Sequence, residues 1–236
     1  MPNRTNALGQ PIGFALTEWT PCPMPPRTDM QGVTCRLEPL NGDRHADDLF
    51  AAFGEDADNR LWTYMAIGPF AHRDAFKAWV DSVCEGDDPL FYAIIDLATS
   101  RAVGFASYMR IDPVQGVIEV GSIVFAPALQ RTTAATEAMY LMMKRVFAEL
   151  GYRRYEWKCD DLNAASRAAA RRYGFVFEGV FRQAVVYKNR NRDTAWFAIT
   201  DRDWPAIDAA FTAWLAPANR DHAGRQIKSL AAFMPL

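Results

Sequence analysis

The residues best placed to do chemistry form one short turn, Gln130-Arg131-Thr132-Thr133-Ala134-Ala135. Before it, Val117, Ile118, Val120, Ile123, Val124 and Phe125 supply the β-branched and aromatic types of a strand, and Pro127 ends the ladder by removing a donor. After it, Ala135, Ala138, Met139, Met142, Val146 and Leu150 recur at the three-and-four spacing of a helix that lays one face on a sheet. The first N–H groups of such a helix have no intrahelical acceptor, and the peptide dipoles leave positive charge there. A strand, a turn and a helix in this order therefore make a seat for phosphate or pyrophosphate. Thr132 and Thr133 are candidate caps of that first turn.

Holding the turn in place takes further elements, and the pattern supplies them. Residues 32–40 alternate as a first strand, and Asn41-Gly42-Asp43 reads as the turn into a short helix over 45–53. A second helix spans 73–84, with Phe76, Trp79, Val80 and Val83 on one stripe. Two runs, 90–96 and 102–110, flank Ala98-Thr99-Ser100 as a hairpin. Downstream of the central segment come a strand at 155–159, a helix at 163–173 and strands at 175–187 and 193–200. A last helix over 203–215 is opened by Asp203 and Pro205.

Composition bounds the function. The chain has 236 residues, half of them apolar, enough for one full core with extensions at the ends. Its net charge of −2 gives no broad footprint for nucleic acid, so no nucleic-acid partner is expected. Cys22, Cys35, Cys84 and Cys159 are scattered, and with only His45, His72 and His222 to join them they predict no zinc site. The first thirty residues lack a basic start followed by an apolar run, and no eighteen apolar residues run together; the expectation is a cytoplasmic protein without membrane contact. Residues 1–31 hold six prolines with Phe14 and Trp19 and read as an extended arm, without secondary structure of its own, that packs over the substrate side of the body. The expected division is therefore an arm at 1–31, one α/β domain at 32–215 and a tail at 216–236.

The order of elements resembles the GNAT superfamily of acyl-CoA N-acyltransferases, and the motifs sharpen the likeness. Pro127 to Ala138 (PALQRTTAATEA) is similar to the family's pyrophosphate loop and the start of its central helix. Asn163-Ala164-Ala165-Ser166, Tyr173-Gly174-Phe175, Glu178-Gly179, Asp193 to Ile199 and Asp203-Trp204 resemble the branch related to ribosomal-protein alanine N-acetyltransferases. The resemblance covers 33–204. It implies a mixed, mostly antiparallel sheet of α+β type, splayed between its fourth and fifth core strands, with helices on both faces.

The resemblance also implies a chemistry: attack of a neutral primary amine on the thioester of acetyl-CoA, with no metal. Gln130, Arg131, Thr132, Thr133, Ala134 and Ala135 would bind the cosubstrate, with Asn163 adding a contact besides its N-cap. A backbone N–H near Val124 would hold the developing oxyanion. Glu119, just before Val120-Gly121, is the candidate base, and Ser166 stands where the branch often has a serine to assist the leaving thiolate. Gly121 would mark the bulge that opens the strand pair. Three positions depart from the family: Arg131 and Thr133 replace loop glycines, and Ala170 replaces a tyrosine taken to protonate the thiolate. These departures motivate an alternative, a non-catalytic acyl-CoA-binding module. The acceptor, peptide or small molecule, and a homodimer are left open by the sequence.

Overall fold

The computed structural model describes residues 4–235. Positions 1–3 and 236, with Pro2 of the arm, lie outside the described residues. In chain order the elements are β1 (Arg4–Thr5), β2 (Pro11–Ile12), β3 (Met30–Gln31), β4 (Cys35–Pro39), α1 (Gly42–Gly54), α2 (Arg73–Val83), β5 (Leu90–Asp96), β6 (Arg101–Asp112) and β7 (Val117–Phe125). Then follow α3 (Thr133–Lys144), β8 (Arg154–Asp160), α4 (Ala164–Arg172), β9 (Val176–Tyr187), β10 (Arg190–Thr200) and α5 (Trp204–Leu215). Strands β1 and β2 pair with each other; the other eight form one sheet in the order β3-β4-β5-β6-β7-β8-β10-β9. Within that sheet only β7 and β8 run parallel. The expected mixed sheet with helices on both faces is what the chain forms.

Each face has its own core. Tyr92, Tyr108, Met142, Tyr155, Trp157 and Phe211 lie in the cluster under α3 and α5, and Leu49, Phe53, Trp62, Phe76 and Phe105 in the one under α1 and α2. Strand β5 is covered on both sides, so its apolar run needs no polar alternation. Aromatic edges fill the second core, with Phe53 5.5 Å from Trp62 and 5.6 Å from Phe105 in edge-to-face pairs.

Several local expectations shift for identifiable reasons. Asn41 begins α1 rather than a turn before it, because its Oδ1 accepts from the Arg44 N–H at 3.0 Å. The strand expected over 32–40 is broken at 32–34, where the buried Glu137 carboxylate accepts from Val33 N at 2.8 Å and Thr34 N at 2.6 Å. Helix α3 ends at Lys144 in a wider turn, Arg145–Glu149.

The arm overturns two expectations. It carries the short β1–β2 ladder, and it docks at the end of the sheet opposite the place where β7 and β8 separate. Trp19 Nε1 donates to Val114 O at 2.9 Å in the β6–β7 turn, where its ring lies so close to Gly116 that a Cβ there would sit 2.4 Å from it. Tyr152, just before β8, donates to Pro23 O at 3.0 Å. The buried Arg145 donates to Thr28 O at 2.7 Å and Asp29 O at 2.8 Å. These contacts lie along the end of the sheet at which β7 and β8 begin, and Met30–Gln31 pairs with β4 at the sheet's far edge, so the arm does not cover the substrate side. The tail folds back under α5 through Leu230, 1% exposed, and Asn219, whose amide donates to Trp214 O at 3.0 Å.

Candidate active site

Strands β7 and β8 pair only from Val117 to Val120 and from Arg154 to Trp157, and then part. Two register facts cause this. Strand β8 stays with β10 as far as Asp160 opposite Thr194, while β7 stays with β6 through a bulge in which Ser122 and Ile123 stand against Ala106. The bulge falls one residue beyond the expected Gly121, and Ser122 takes the left-handed φ of 50° itself. Gly121 serves packing instead, since a Cβ there would meet Met109 Sδ at 2.2 Å.

The gap exposes backbone. Ala126 N donates to Val103 O at 3.0 Å, so by ladder alternation Val124 faces β6 and Phe125 faces the gap. The Phe125 carbonyl accepts from the Gln130 side chain at 3.0 Å, and the N–H near Val124 that points into the gap is the one on Phe125.

Beyond β7 the turn reaches α3 as the sequence requires. Arg131 adopts φ 62°, the conformation that a glycine takes most readily. The N–H groups of Gln130 and Thr132 bond back to Ala126 O and Leu129 O, and that of Ala135 donates to the Thr132 hydroxyl at 3.1 Å. Those of Arg131, Thr133 and Ala134 meet no acceptor among the described residues. Three free donors at a helix start fit an anionic group such as pyrophosphate. Arg220 of the tail, with Thr132, Thr133 and Ala134, lines a cavity of about 490 Å³ beside this turn; no periodic signal in the tail pointed to it.

The two catalytic candidates stand on opposite faces of the sheet with the gap between them. Asn163 caps α4 by accepting from Ser166 N at 3.1 Å, and Ser166 Oγ accepts from Trp157 Nε1 at 2.9 Å on the α3 side. That hydroxyl still has its own proton to donate, with the buried Cys159 thiol within reach of it. Glu119 lies on the α1–α2 side, 3% exposed, directly opposite Glu156. Its Oε1 accepts from Arg110 Nη1 at 2.8 Å. Its Oε2 is 2.9 Å from Lys158 Nζ but makes no aligned hydrogen bond, and is the oxygen left open to a further donor. Lys158 also reaches Glu156 at 2.7 Å, and Arg154 links Glu156 at 2.6 Å to the outer Glu178 at 2.5 Å. The sequence reading missed this chain of charges, although Glu156 and Lys158 alternate on one strand face.

A family model described as an acetyltransferase (GNAT) domain matches residues 35–176. The chain belongs to the GNAT acetyltransferase family. Its members are acyl-CoA-dependent acetyltransferases, and the matched GNAT segment holds the gap, the α3 turn and α4. The crystal structure of a GCN5-related N-acetyltransferase from Brucella melitensis is 51% identical, with 92% of this chain and 99% of that one covered at a TM-score of 0.90. That of a probable GNAT acetyltransferase from Chromobacterium violaceum is 42% identical over 84% of this chain and 98% of that one, with a TM-score of 0.77. The uncharacterized N-acetyltransferase YnaD of Bacillus subtilis is 25% identical over 157 residues, 66% of this chain and 90% of that protein. Among the described residues no group of three metal-binding side chains occurs, and no helix is long and apolar enough to cross a membrane.

Proposed function

We propose that this GNAT protein transfers an acetyl group from acetyl-CoA to a primary amine by direct attack in the β7/β8 gap. The observation that carries this reading is the joining of the gap, with its free Phe125 N–H, to three unpaired N–H groups at the start of α3. Arg131, Thr133 and Ala134 would hold the pyrophosphate, with Gln130, Thr132 and Ala135 shaping the turn through their internal bonds and Asn163 setting the start of α4. Acetyl-CoA supplies the activated acyl group. The Phe125 N–H beside Val124 faces negative charge developing at an acyl oxygen. Glu119 Oε2 takes a proton from the amine on one face, and the Ser166 hydroxyl gives one to the departing sulfur on the other. A thiol, with a pKa of roughly 8.5, leaves readily near neutral pH, so the alanine at position 170 does not bar the reaction. Residues 32–215 would form the catalytic unit.

Two proteins that share the fold bear on this reading. The microcin C7 self-immunity acetyltransferase MccE, 18% identical, was solved with acetyl-CoA and AMP. A Salmonella typhimurium enzyme, 19% identical, modifies the N-terminal serine of ribosomal protein L7/L12. A second reading, acyl-CoA binding without turnover, is favoured by one observation: Arg110 and Lys158 both hold Glu119. The test is Glu119→Gln. Turnover should fall by roughly 10²–10⁴, most at low pH where the amine is protonated, with acetyl-CoA affinity unchanged. An unaltered rate and pH profile would make Glu119 a structural charge, and absent turnover in the parent would favour the second reading.

A further inference from the structure

We infer that the amine acceptor carries a carboxylate and that Arg192, Thr194 and Trp196 of β10 recognise it; this rests on the gap being the site of acyl transfer. Strand β10 pairs with β8 in unbroken register, Thr194 opposite Asp160 and Trp196 opposite Lys158. Side chains alternate along a strand, so 194 and 196 share the sheet face of Glu119, Glu156 and Lys158, and Arg192 follows at the same two-residue spacing because the irregularity beside it inserts its extra residues on β9. On that face Arg192 Nε, Thr194 Oγ1 and Trp196 Nε1 are buried and make no hydrogen bond, as is Glu119 Oε2. Thr194 is only 4% exposed. Lys158 connects the row to the base, its Nζ lying 2.9 Å from Glu119 Oε2 and 3.7 Å from the centre of the Trp196 ring.

The chemistry of these atoms selects a partner. The Nε–H of arginine and the indole N–H only donate, and a hydroxyl donates or accepts. A ligand filling them must present acceptor oxygens, which an alkylamine or a polyamine lacks. Charge narrows the choice. Arg110, Arg154 and Lys158 on this face are each matched by a carboxylate, whereas Arg192 forms no ion pair among the described residues and its Nε is buried. An anion supplies what it lacks, and a carboxylate matches the planar guanidinium fork.

The end of the β9–β10 hairpin encloses this region. Lys188 Nζ donates to Trp62 O at 2.8 Å, Arg190 Nη2 to Thr63 O at 2.6 Å, and Tyr64 to Leu162 O at 3.1 Å, tying the α1–α2 connection across to β8 and β10. Tyr187 closes on Asp160 at 2.8 Å. With its Nε buried and unpaired, the Arg192 guanidinium discriminates among ligands that do and do not bring it an anion.

Two matched sets of primary amines test the inference: 5-aminopentanoate, its amide and pentylamine; and leucine, leucinamide and isopentylamine. Acetyl-CoA-dependent thiol release gives kcat/KM, and saturation-transfer NMR with CoA present gives binding. In at least one set the carboxylate should be preferred tenfold or more over both companions. Arg192→Gln should abolish that preference with acetyl-CoA affinity unchanged by calorimetry, Arg192→Lys should keep part of it, and Thr194→Val should reduce it severalfold. A preference for the uncharged members, or one that Arg192→Gln and Thr194→Val leave intact, would overturn the inference. If no amine is acetylated the reading of turnover has failed, and the binding data decide the acceptor's class by the same criteria.

Discussion

Glu119 of β7 stands directly opposite Glu156 of β8 in the one parallel strand pair, with Lys158 Nζ 2.9 Å from the first and 2.7 Å from the second. Two buried carboxylates in register repel unless a cation lies between them, and Lys158, its side chain 9% exposed, is that cation. Lys158→Met should therefore destabilise the fold by about 1.5–3 kcal/mol, the worth of hydrogen bonds to charged groups, because Arg110 and Arg154 still hold the two carboxylates. Adding Glu156→Gln should recover part of the loss. Urea denaturation of the single and double variants checks both, and a single variant as stable as the parent would show that the pair needs no cation.

Acetyl-CoA affinity should depend on the N–H of Thr133. This residue is the first of α3, where proline fits the helix and removes only the donor. Thr133→Pro should weaken acetyl-CoA binding by roughly 10- to 100-fold, the worth of one hydrogen bond to a charged group at about 1.5–3 kcal/mol. Calorimetry measures it, alongside circular dichroism to confirm an intact fold. Undiminished affinity would move the pyrophosphate elsewhere.

Much of this was legible in the chain. The three-and-four spacing of α3 and the strand composition of β7 are local, and local pattern found them. What pattern could not find was made by distant partners. Asn41-Gly42-Asp43 looks like a turn until the Asn41 side chain is seen to cap Arg44. Gly121 is the natural guess for a bulge, but the β6 register puts the strained residue at Ser122. The arm's position depends on Arg145, more than a hundred residues away in sequence, holding the carbonyls of Thr28 and Asp29. The alternation of Arg192, Thr194 and Trp196 was visible, yet their lack of partners is a fact of three dimensions.

Stability should fall as the solution is acidified below about pH 6.5. Burial disfavours the His45 imidazolium and pulls its pKa below the ordinary 6.5, against the opposing pull of Glu38. Asn41 N–H donates to Nδ1 at 3.1 Å, so the neutral ring carries its proton on Nε2, 3.2 Å from Glu38 Oε2. The unfolded chain binds that proton more readily than the folded one, so this contribution is complete above 6.5 and is lost as pH falls through the folded value. The rise of Tm between pH 5 and 7 should be shallower in His45→Gln than in the parent. Equal slopes would show that His45 does not titrate differently on folding.

Removing residues 2–29 should cost stability and spare catalysis. The deletion takes two carbonyl acceptors from Arg145, a guanidinium only 6% exposed that keeps Glu149, and uncovers the Trp19 contact on Gly116. A loss on the order of 3 kcal/mol follows from two hydrogen bonds to a buried charged group, or roughly 6–12 °C in Tm. Acceptor KM and acetyl-CoA affinity should stay within about threefold, because the arm docks where β7 and β8 begin. An altered acceptor KM with unchanged Tm would return the arm to the substrate side.

Initial rates of thiol release, with acetyl-CoA and an amine acceptor varied together, test the central claim most directly. Direct attack in the β7/β8 gap requires both substrates to be bound at once, so the reciprocal plots should intersect, and enzyme incubated with labelled acetyl-CoA alone should carry no covalent acetyl group. Parallel lines with a stably acetylated enzyme, or tight acetyl-CoA binding with no amine-dependent thiol release, would contradict it.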